Sequence, residues 1–305
     1  MAVTGRFAPS PSGRMHLGNV CSAMLAWLSV RSAGGEMLLR MEDLDPRRCR
    51  PAYVEQLRDD LRWLGLDWDR EQTPQSRRTG AYADAFAQLE EKGLVYPCYC
   101  SRADLHAASA PHAADGRLVY AGTCRHLTEQ QRREMRKAPA WRLAAPDREI
   151  SFADGLQGIV RENLARDCGD FIIRRADGVY AYQLAVVADD AAGGVTQVVR
   201  GRDLLDSTPR QLYLYELLGA VAPSFYHVPL LLASDGRRLS KRERDLDLGA
   251  LRLRYTPERL LGYLAGLCGL IPAGETASAR ELAACFRWEN VRQTDVILTE
   301  IPGLP

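Results

Sequence analysis

Short apolar runs alternate with longer runs of helical spacing through the first part of the chain. A strand-like stretch at residues 3–8 precedes a Pro/Ser/Gly turn, and the apolar run 17–30 has the length and spacing of a helix. A second strand-like stretch covers residues 36–41, and helical spacing recurs at 51–64 and 82–92. This alternation of strand and helix predicts an α/β domain built on a parallel sheet.

The pattern changes near residue 95 and changes back near residue 186. Short strand-like runs at 140–143, 149–152, 171–174 and 179–184 favour an inserted α+β domain between two halves of the α/β domain. The predicted organisation is a first half at 1–94, an insert at 95–185, a second half at 186–245 with an apolar strand at 228–232, and a short C-terminal segment at 246–305 with helices at 256–268 and 278–286.

Composition narrows the class of protein. The 305 residues allow about two domains, and 46% hydrophobic with 26% charged residues is typical of a globular protein. We find no apolar stretch of about 18 residues and no signal-peptide pattern at the N-terminus, so we expect a cytoplasmic protein without a membrane segment. The net charge is +1, so any nucleic-acid binding must rest on local patches.

The first candidate motif lies where the first strand meets the first helix. It runs Arg6-Phe-Ala-Pro-Ser-Pro-Ser-Gly13 and continues to His16-Leu-Gly18-Asn19. Backbone N–H groups and the dipole at a helix start favour phosphate, glycines permit close approach, and His16 can donate a hydrogen bond. A purely structural turn has the same composition, so the motif alone is weak.

The second candidate motif is a basic loop, Gly236-Arg-Arg-Leu-Ser-Lys241-Arg242, directly after the predicted strand 228–232. Loops at this edge of a parallel sheet bind ligands in α/β proteins. Only three of the 40 basic residues are lysines, so Lys241 stands out as a mobile point charge suited to a triphosphate. The alternative is an ordinary solvated basic turn.

Three of the eight cysteines, Cys98, Cys100 and Cys124, fall within 27 residues. In a reducing compartment such a cluster favours a metal over a disulfide, and thiolates suit a structural zinc ion with four ligands. The fourth ligand is open on chemical grounds, since His106, His112, His126 and Tyr120 are all near in sequence; each histidine is a better ligand than a phenol. The alternative is a set of unmetallated buried thiols.

Together, the first two motifs resemble the paired signatures of class I aminoacyl-tRNA synthetases, written His-Ile-Gly-His and Lys-Met-Ser-Lys-Ser. They stand here at 16–19 and 238–242. The strings at 6–13, 40–45 and 180–204 resemble the glutamyl branch of that family, so the resemblance covers residues 3–245. It implies a Rossmann-like parallel-sheet catalytic domain that carries the zinc-containing insert and ends in the short helical segment. The sequence departs from the family at Asn19, which replaces the second signature histidine, and at Val186, where an asparagine is usual.

The resemblance also implies roles for individual residues. Arg6 and Arg200 would hold carboxylates of L-glutamate, Glu42 its α-amino group, and Tyr182 and Ser10 would complete the pocket beside Phe7, Ala8 and Pro9. These types fit the substrate, because arginine binds carboxylates in a bidentate manner and a carboxylate pairs with an ammonium group. ATP with Mg²⁺ would be bound by His16, Gly18, Asn19, Arg238, Leu239, Ser240, Lys241 and Arg242, of which His16 and Lys241 would be catalytic.

Two further expectations come from the resemblance. It favours Tyr120 as the fourth zinc ligand, with His126 as the second choice. Only about 60 residues follow Lys241, too few for the usual anticodon-binding domains, which favours the shortened glutamyl-queuosine tRNA(Asp) synthetase branch. That branch transfers glutamate to queuosine at the wobble position of tRNA(Asp), and we expect a monomer. The alternatives are a minimal glutamyl-tRNA synthetase that charges a tRNA 3′ end, and a catalytically inactive zinc-containing tRNA-binding module.

Overall fold

A computed structural model describes residues 2–101, 104, 119–237, 239 and 247–298. Its strands are β1 (Thr4–Phe7), β2 (Glu36–Leu39), β3 (Arg70–Glu71), β4 (Val95–Cys98), β5 (Ala140–Leu143), β6 (Glu149–Asp154), β7 (Gly158–Asn163), β8 (Phe171–Arg174), β9 (Gln197–Gly201), β10 (Ser224–Val228), β11 (Leu231–Leu232) and β12 (Val296–Ile297). Its α-helices are α1 (Leu17–Ser32), α2 (Pro51–Trp63), α3 (Thr79–Glu91), α4 (Glu129–Glu134), α5 (Leu164–Asp167), α6 (Tyr182–Gly193), α7 (Thr208–Leu217), α8 (Leu248–Arg252), α9 (Pro257–Leu267) and α10 (Ala279–Cys285).

Parallel strands form the base of the molecule. Strands β1, β2 and β3 pair in that order, and β9 pairs with β10, all in parallel. The start of β9 is joined to β1, because the Thr196 N–H donates to the Thr4 carbonyl over 2.9 Å. The predicted parallel-sheet α/β architecture is therefore confirmed.

Nearly every face of helix α1 is apolar, since nearly every face is buried in the fold. Leu17, Leu25 and Leu28 are fully buried against the sheet and the C-terminal helices. Gly5 in β1 allows this close packing, since a Cβ at that position would overlap Val30. The last part of α1 therefore packs closely on β1.

Antiparallel strands dominate the middle of the chain. Strands β4, β5 and β8 form one antiparallel sheet, and β6 and β7 form a hairpin. The hairpin packs on the parallel sheet, since the Gly155 N–H donates to the Phe225 carbonyl over 2.8 Å. A Cβ at Gly155 would overlap the ring of Tyr226, so this contact requires glycine.

Two strand predictions were wrong. The run 179–184 is not a strand: Tyr180 makes one isolated bridge to Arg174, and α6 begins at Tyr182. The four alanines that follow favour a helix, and α6 continues across the boundary placed after residue 185. The run 228–232 is two strands rather than one, because Pro229 lacks the N–H that a continuous ladder requires.

The C-terminal segment belongs to the main core. Leu260, Leu261 and Leu264 of α9 pack in the same apolar cluster as α1, and strand β12 pairs with β11. The segment is therefore mainly helical, as predicted, but also adds a strand to the fold. Within the described ranges, no helix has both the length and the apolar character needed to cross a membrane.

Candidate active site

A cavity of about 710 Å³ opens at the carboxyl ends of β1 and β9, beside the start of α1. This is the edge of a parallel sheet at which ligands bind in α/β folds. The predicted residues that line it are Arg6, Phe7, Ala8, Pro9, Ser10, His16, Gly18, Asn19, Glu42, Tyr182, Arg200 and Leu239. The structure thus brings together all eight predicted glutamate-site residues with four of the predicted ATP-site residues.

The turn after β1 is held by the segment after β2. The Arg40 N–H donates to the Phe7 carbonyl and the Glu42 N–H to the Pro9 carbonyl, each over 3.0 Å. Because β1 and β2 are parallel and in register, their carboxyl ends lie side by side. Arg6 and Glu42 therefore reach the same cavity from two neighbouring strands.

The start of α1 is capped within the signature motif. His16 is the N-cap residue, and its backbone N–H donates to the Asn19 side-chain oxygen over 3.3 Å. Asn19 therefore has a capping role that the sequence did not reveal. Gly18 lies close to the His16 ring, where a Cβ would meet ring atoms at 3.2 Å.

Arg6 belongs to a buried charge network with Arg40, Glu42 and Asp190. Arg6 Nε lies 3.3 Å from the Asp190 carboxylate, and Arg40 Nη1 lies 2.6 Å from it. Arg40 also reaches Glu42 over 3.3 Å. Burial opposes ionisation of Asp190, but Arg40 and Arg6 outweigh it and lower the pKa of that carboxyl group. Burial raises the pKa of Glu42, and Arg40 offsets part of this effect.

Asp189 is a second buried carboxylate in α6, next to Asp190, and it is held by side chains of neighbouring elements. Asp189 accepts hydrogen bonds from Gln75 Nε2 over 2.8 Å, from Arg78 Nε over 2.6 Å and from the Tyr82 hydroxyl over 2.9 Å. Gln75 and Arg78 follow β3, and Tyr82 lies in α3. Their hydrogen bonds therefore connect α6 to these two segments. Arg40, Asp189 and Asp190 fall within the strings 40–45 and 180–204 that resemble the glutamyl branch, but no role was predicted for them.

Arg200 differs from Arg6 in the charge of its partners. Its guanidinium donates to His227 Nε2 over 3.0 Å, to the Thr208 hydroxyl over 2.8 Å, and at longer range to the Tyr182 hydroxyl and the Leu204 carbonyl. Among the described residues, all its hydrogen-bond partners are uncharged. Burial lowers the pKa of Arg200, but guanidinium remains charged at neutral pH. Within the described part of the chain, the cavity wall therefore carries a buried cation without a paired carboxylate, which suits an anion site.

His227 and Asp154 lie behind Arg200 and were missed by the sequence analysis. The two side chains are fully buried, and His227 Nδ1 lies 2.6 Å from Asp154 Oδ2. His227 stands alone in an apolar strand, a pattern typical of a core residue. Asp154 ends β6, in the inserted segment, so only the fold brings the pair to the site.

The second signature motif is only partly described. Leu239 is buried and lines the cavity, whereas Arg238, Ser240, Lys241 and Arg242 lie outside the described residues. Downstream of the motif, Asp247 forms a β-bridge with His16. The ATP-binding role of the four undescribed residues therefore stays a prediction from the sequence.

The three clustered cysteines converge on one point. The sulfur atoms of Cys98, Cys100 and Cys124 lie within 4.8 Å of one another. The Tyr120 hydroxyl lies 3.4 Å from the Cys98 sulfur and 3.9 Å from the Cys100 sulfur, and it accepts a hydrogen bond from the Cys124 N–H over 2.9 Å. Three sulfurs and one phenolic oxygen in this arrangement fit a tetrahedral zinc ion.

The surroundings of the cluster act in different directions on its donors, because burial raises the pKa of the Cys100 thiol and of the Tyr120 hydroxyl. The Arg142 guanidinium lies 3.7 Å from the centre of the Tyr120 ring. Burial opposes ionisation of Cys98, but hydrogen bonds with Tyr120 and Arg142 lower the pKa of that thiol. His126 is exposed, and His106 and His112 lie outside the described residues. Tyr120 is thus the candidate fourth donor that contacts the cluster.

Comparison with known proteins identifies the family. Residues 2–293 match the family of class I tRNA synthetases (E and Q), catalytic domain. The Glutamyl-Q tRNA(Asp) synthetase of Nitratidesulfovibrio vulgaris is 53% identical, with 88% of this chain and 87% of that protein covered. The protein of the same name from Symbiobacterium thermophilum is 51% identical, with 92% and 91% covered.

A solved structure confirms the fold. It is that of a glutamate tRNA ligase from Elizabethkingia meningosepticum in complex with its amino acid. It superposes with a TM-score of 0.83 at 26% identity, and the match covers 97% of this chain and 67% of that chain. The α/β fold with its parallel sheet is thus that of a class I synthetase catalytic domain.

Proposed function

The chain belongs to the class I tRNA synthetases of the E and Q type, and we propose that this ligase activates L-glutamate with ATP and transfers it to queuosine at the wobble position of tRNA(Asp). ATP, glutamate and a tRNA are the substrates that the family implies. The choice of queuosine in tRNA(Asp) is supported by the names of the relatives that are 51–53% identical over most of this chain.

The pairing pattern in the cavity carries the glutamate assignment. Arg200 is a buried cation with neutral partners, and a substrate carboxylate would supply the missing negative charge. Glu42 is a carboxylate on the opposite wall, suited to the α-ammonium group. Arg6 is already paired with Asp190, so it would contribute a shared positive charge rather than a full one.

The first chemical step is activation of glutamate. A carboxylate oxygen of glutamate attacks the α-phosphorus of ATP, the bond to the bridging oxygen breaks, and pyrophosphate leaves. His16, Gly18 and the N-terminus of α1 border the cavity and would stabilise phosphate charge, and Lys241 would add a mobile positive charge. Mg²⁺ would accompany ATP and shield its phosphates.

The second step is transfer. A hydroxyl group of the queuosine ring attacks the activated carbonyl of the adenylate, an ester forms, and AMP leaves with its electron pair. This step requires no protein nucleophile. The sulfur cluster with Tyr120 would bind a structural zinc ion, because four protein donors leave no open position for chemistry.

Labelled glutamate tests the proposal. The enzyme is incubated with ATP, Mg²⁺ and [¹⁴C]glutamate, and with tRNA(Asp) that contains or lacks queuosine, or with tRNA(Glu). We expect label on queuosine-containing tRNA(Asp) alone. Label on tRNA(Glu) instead would establish a minimal glutamyl-tRNA synthetase. Failure of glutamate-dependent ATP–pyrophosphate exchange would contradict the proposal and favour the alternative of a catalytically inactive tRNA-binding module.

A further inference from the structure

Asp154 and His227 form a buried pair behind Arg200 that was not among the predicted site residues. We infer that Asp154 and His227 position Arg200, with His227 acting as a neutral hydrogen-bond acceptor that orients the guanidinium towards a substrate carboxylate. This inference rests on the proposed function, because it concerns the glutamate affinity of the same cavity. Both residues would act through Arg200 rather than on substrate.

Hydrogen-bond direction fixes the tautomer of His227. Arg200 Nε can only donate, so His227 Nε2, 3.0 Å away, must accept and must carry no proton. The ring proton therefore lies on Nδ1, where it donates to Asp154 Oδ2 over 2.6 Å. The Thr208 hydroxyl, which accepts from Arg200, lies 3.2 Å from the same His227 nitrogen.

Asp154 is itself held rigidly. Its Oδ1 accepts backbone hydrogen bonds from Leu156 over 3.0 Å, from Gln157 over 2.9 Å and from His227 over 3.2 Å. Its two oxygens thus bind different partners. Oδ1 accepts the hydrogen bonds of the hairpin turn, and Oδ2 accepts the hydrogen bond from His227 Nδ1–H. The position of Arg200 therefore depends on the inserted hairpin through a continuous chain of hydrogen bonds.

A neutral imidazole suits this position better than a carboxylate. A carboxylate at His227 would offset the charge of Arg200, as Asp190 partly does for Arg6, and so weaken attraction for a substrate anion. A protonated imidazole would place a second cation against Arg200. Among the described residues, the charged groups that act on His227 are Asp154, Arg200 and Arg6. Burial lowers the pKa of His227, and together with the two arginines it outweighs Asp154, which favours the protonated ring, so the ring stays neutral.

The sharpest variant is Asp154→Asn. The amide oxygen can keep the three backbone hydrogen bonds, while the amide nitrogen donates to His227 Nδ1. The ring must then carry its proton on Nε2, which opposes the Arg200 Nε–H donor to donor. In glutamate-dependent ATP–pyrophosphate exchange, we expect KM for glutamate to rise about tenfold or more, with KM for ATP within about twofold of wild type.

A rescue separates positioning from general damage. In the double variant with His227→Gln, the glutamine oxygen can accept from Arg200 Nε whatever the side chain at position 154 donates. We expect KM for glutamate to fall back towards wild type, whereas two merely structural lesions would add. Glu149→Gln, at an exposed position of the same hairpin, is the matched control and should leave both KM values unchanged.

A direct readout of the tautomer completes the test. In ¹⁵N-histidine-labelled wild-type protein, NMR should show His227 with a protonated Nδ1 and a bare Nε2, and Asp154→Asn should reverse this pattern. An Nε2–H or charged ring in the wild type would overturn the inference, as would an unchanged KM for glutamate in Asp154→Asn. If the wild type shows no exchange, the proposed function fails, and the NMR pattern still decides the positioning.

Discussion

Three buried arginines differ in what surrounds their charge: Arg6 and Arg200 line the cavity, and Arg40 contacts its lining residue Glu42. Arg40 is fully buried and pairs with Asp190 and Glu42; although burial opposes it, these carboxylates with Asp189 raise the pKa of Arg40. Arg6 shares Asp190, whereas Arg200 has neutral partners. The site therefore contains two guanidinium groups that are paired with carboxylates of the protein and one, that of Arg200, that can pair with an anionic ligand. The immediate partners of each arginine cause this difference.

Acidification is expected to destabilise the fold through His227. Burial lowers the pKa of His227 below its ordinary value of 6.5, so on acidification the unfolded chain binds a proton here before the folded protein does. The free energy of unfolding therefore decreases as the pH falls below 6.5 towards the lowered folded-state pKa. Glu42 acts in the opposite sense in the range above 4.5, because burial raises its pKa.

The contribution of His227 is isolated by a difference. Urea unfolding of the wild type and of His227→Gln is measured at several pH values between about 5.5 and 7.5. We expect the wild type to lose more stability on acidification than the variant, since only the wild type has the titrating ring. Equal pH dependence in the two proteins would contradict this expectation.

At the scale of elements, α6 organises the site. It provides Tyr182 at its first position, facing the cavity, and Asp189 and Asp190 two turns later, facing the arginines. The sequence predicted the importance of this stretch but placed a strand across its beginning. The local pattern misled because Val179 to Tyr182 is rich in β-forming residues, while the following alanines and the packing on α3 and α7 decide for helix.

Trp288 anchors the C-terminal segment to β10 and α1. The Trp288 ring stacks on Tyr226 of β10 with centroids 4.3 Å apart, and its Nε1 donates to the Ser29 hydroxyl over 3.2 Å. We expect Trp288→Ala to lower the free energy of unfolding by about 2–3 kcal/mol, since the residue is half-buried and loses its apolar contacts. Urea denaturation measures the change.

Leu253→Ala is the matched control for that truncation, because Leu253 is 88% exposed in the same C-terminal segment. We expect its effect to stay within about 0.5 kcal/mol of zero. A loss below about 1 kcal/mol in Trp288→Ala would mean that the tryptophan stack does not anchor the segment.

At the scale of the whole molecule, the antiparallel middle segment contains two separate groups of candidate functional residues. The sulfur cluster of Cys98, Cys100 and Cys124 lies at one part of it, and from another part Asp154 contacts His227 behind Arg200. An apolar cluster that joins Leu38 and Phe225 of the parallel sheet to Leu143 and Phe171 packs the segment in place. The proposed insert is therefore part of the structure of the active site.

Metal analysis tests the cluster. We expect one zinc ion per purified chain and a loss of that ion in Cys124→Ser, with a lower thermal midpoint, because a structural zinc site stabilises the folded state directly. Cys285→Ser, which changes an exposed thiol outside the cluster, should keep the metal and the midpoint. A metal-free wild type after expression in zinc-supplemented medium would rule the site out.

Tyr120→Phe addresses the fourth ligand. Removal of the hydroxyl should weaken zinc affinity, measured by competition with a chromogenic chelator, while the ring stays packed under Arg142. Full occupancy with unchanged affinity would exclude Tyr120 and leave a histidine such as His126 as the candidate.

The sequence by itself determined most local elements of this protein and indicated the candidate residues of its site. Turn residues, helical spacing and the two signature motifs are local properties, so they identified β1, α1 and the residues from Arg6 to Asn19 that line the cavity. Only the tertiary structure decided which charges meet. Asp190 lies 184 positions from Arg6, and Asp154 lies 73 positions from His227. Because such pairings depend on how strands and helices pack, no local pattern encodes that Arg6 shares a carboxylate with Arg40 while Arg200 is held by an uncharged imidazole.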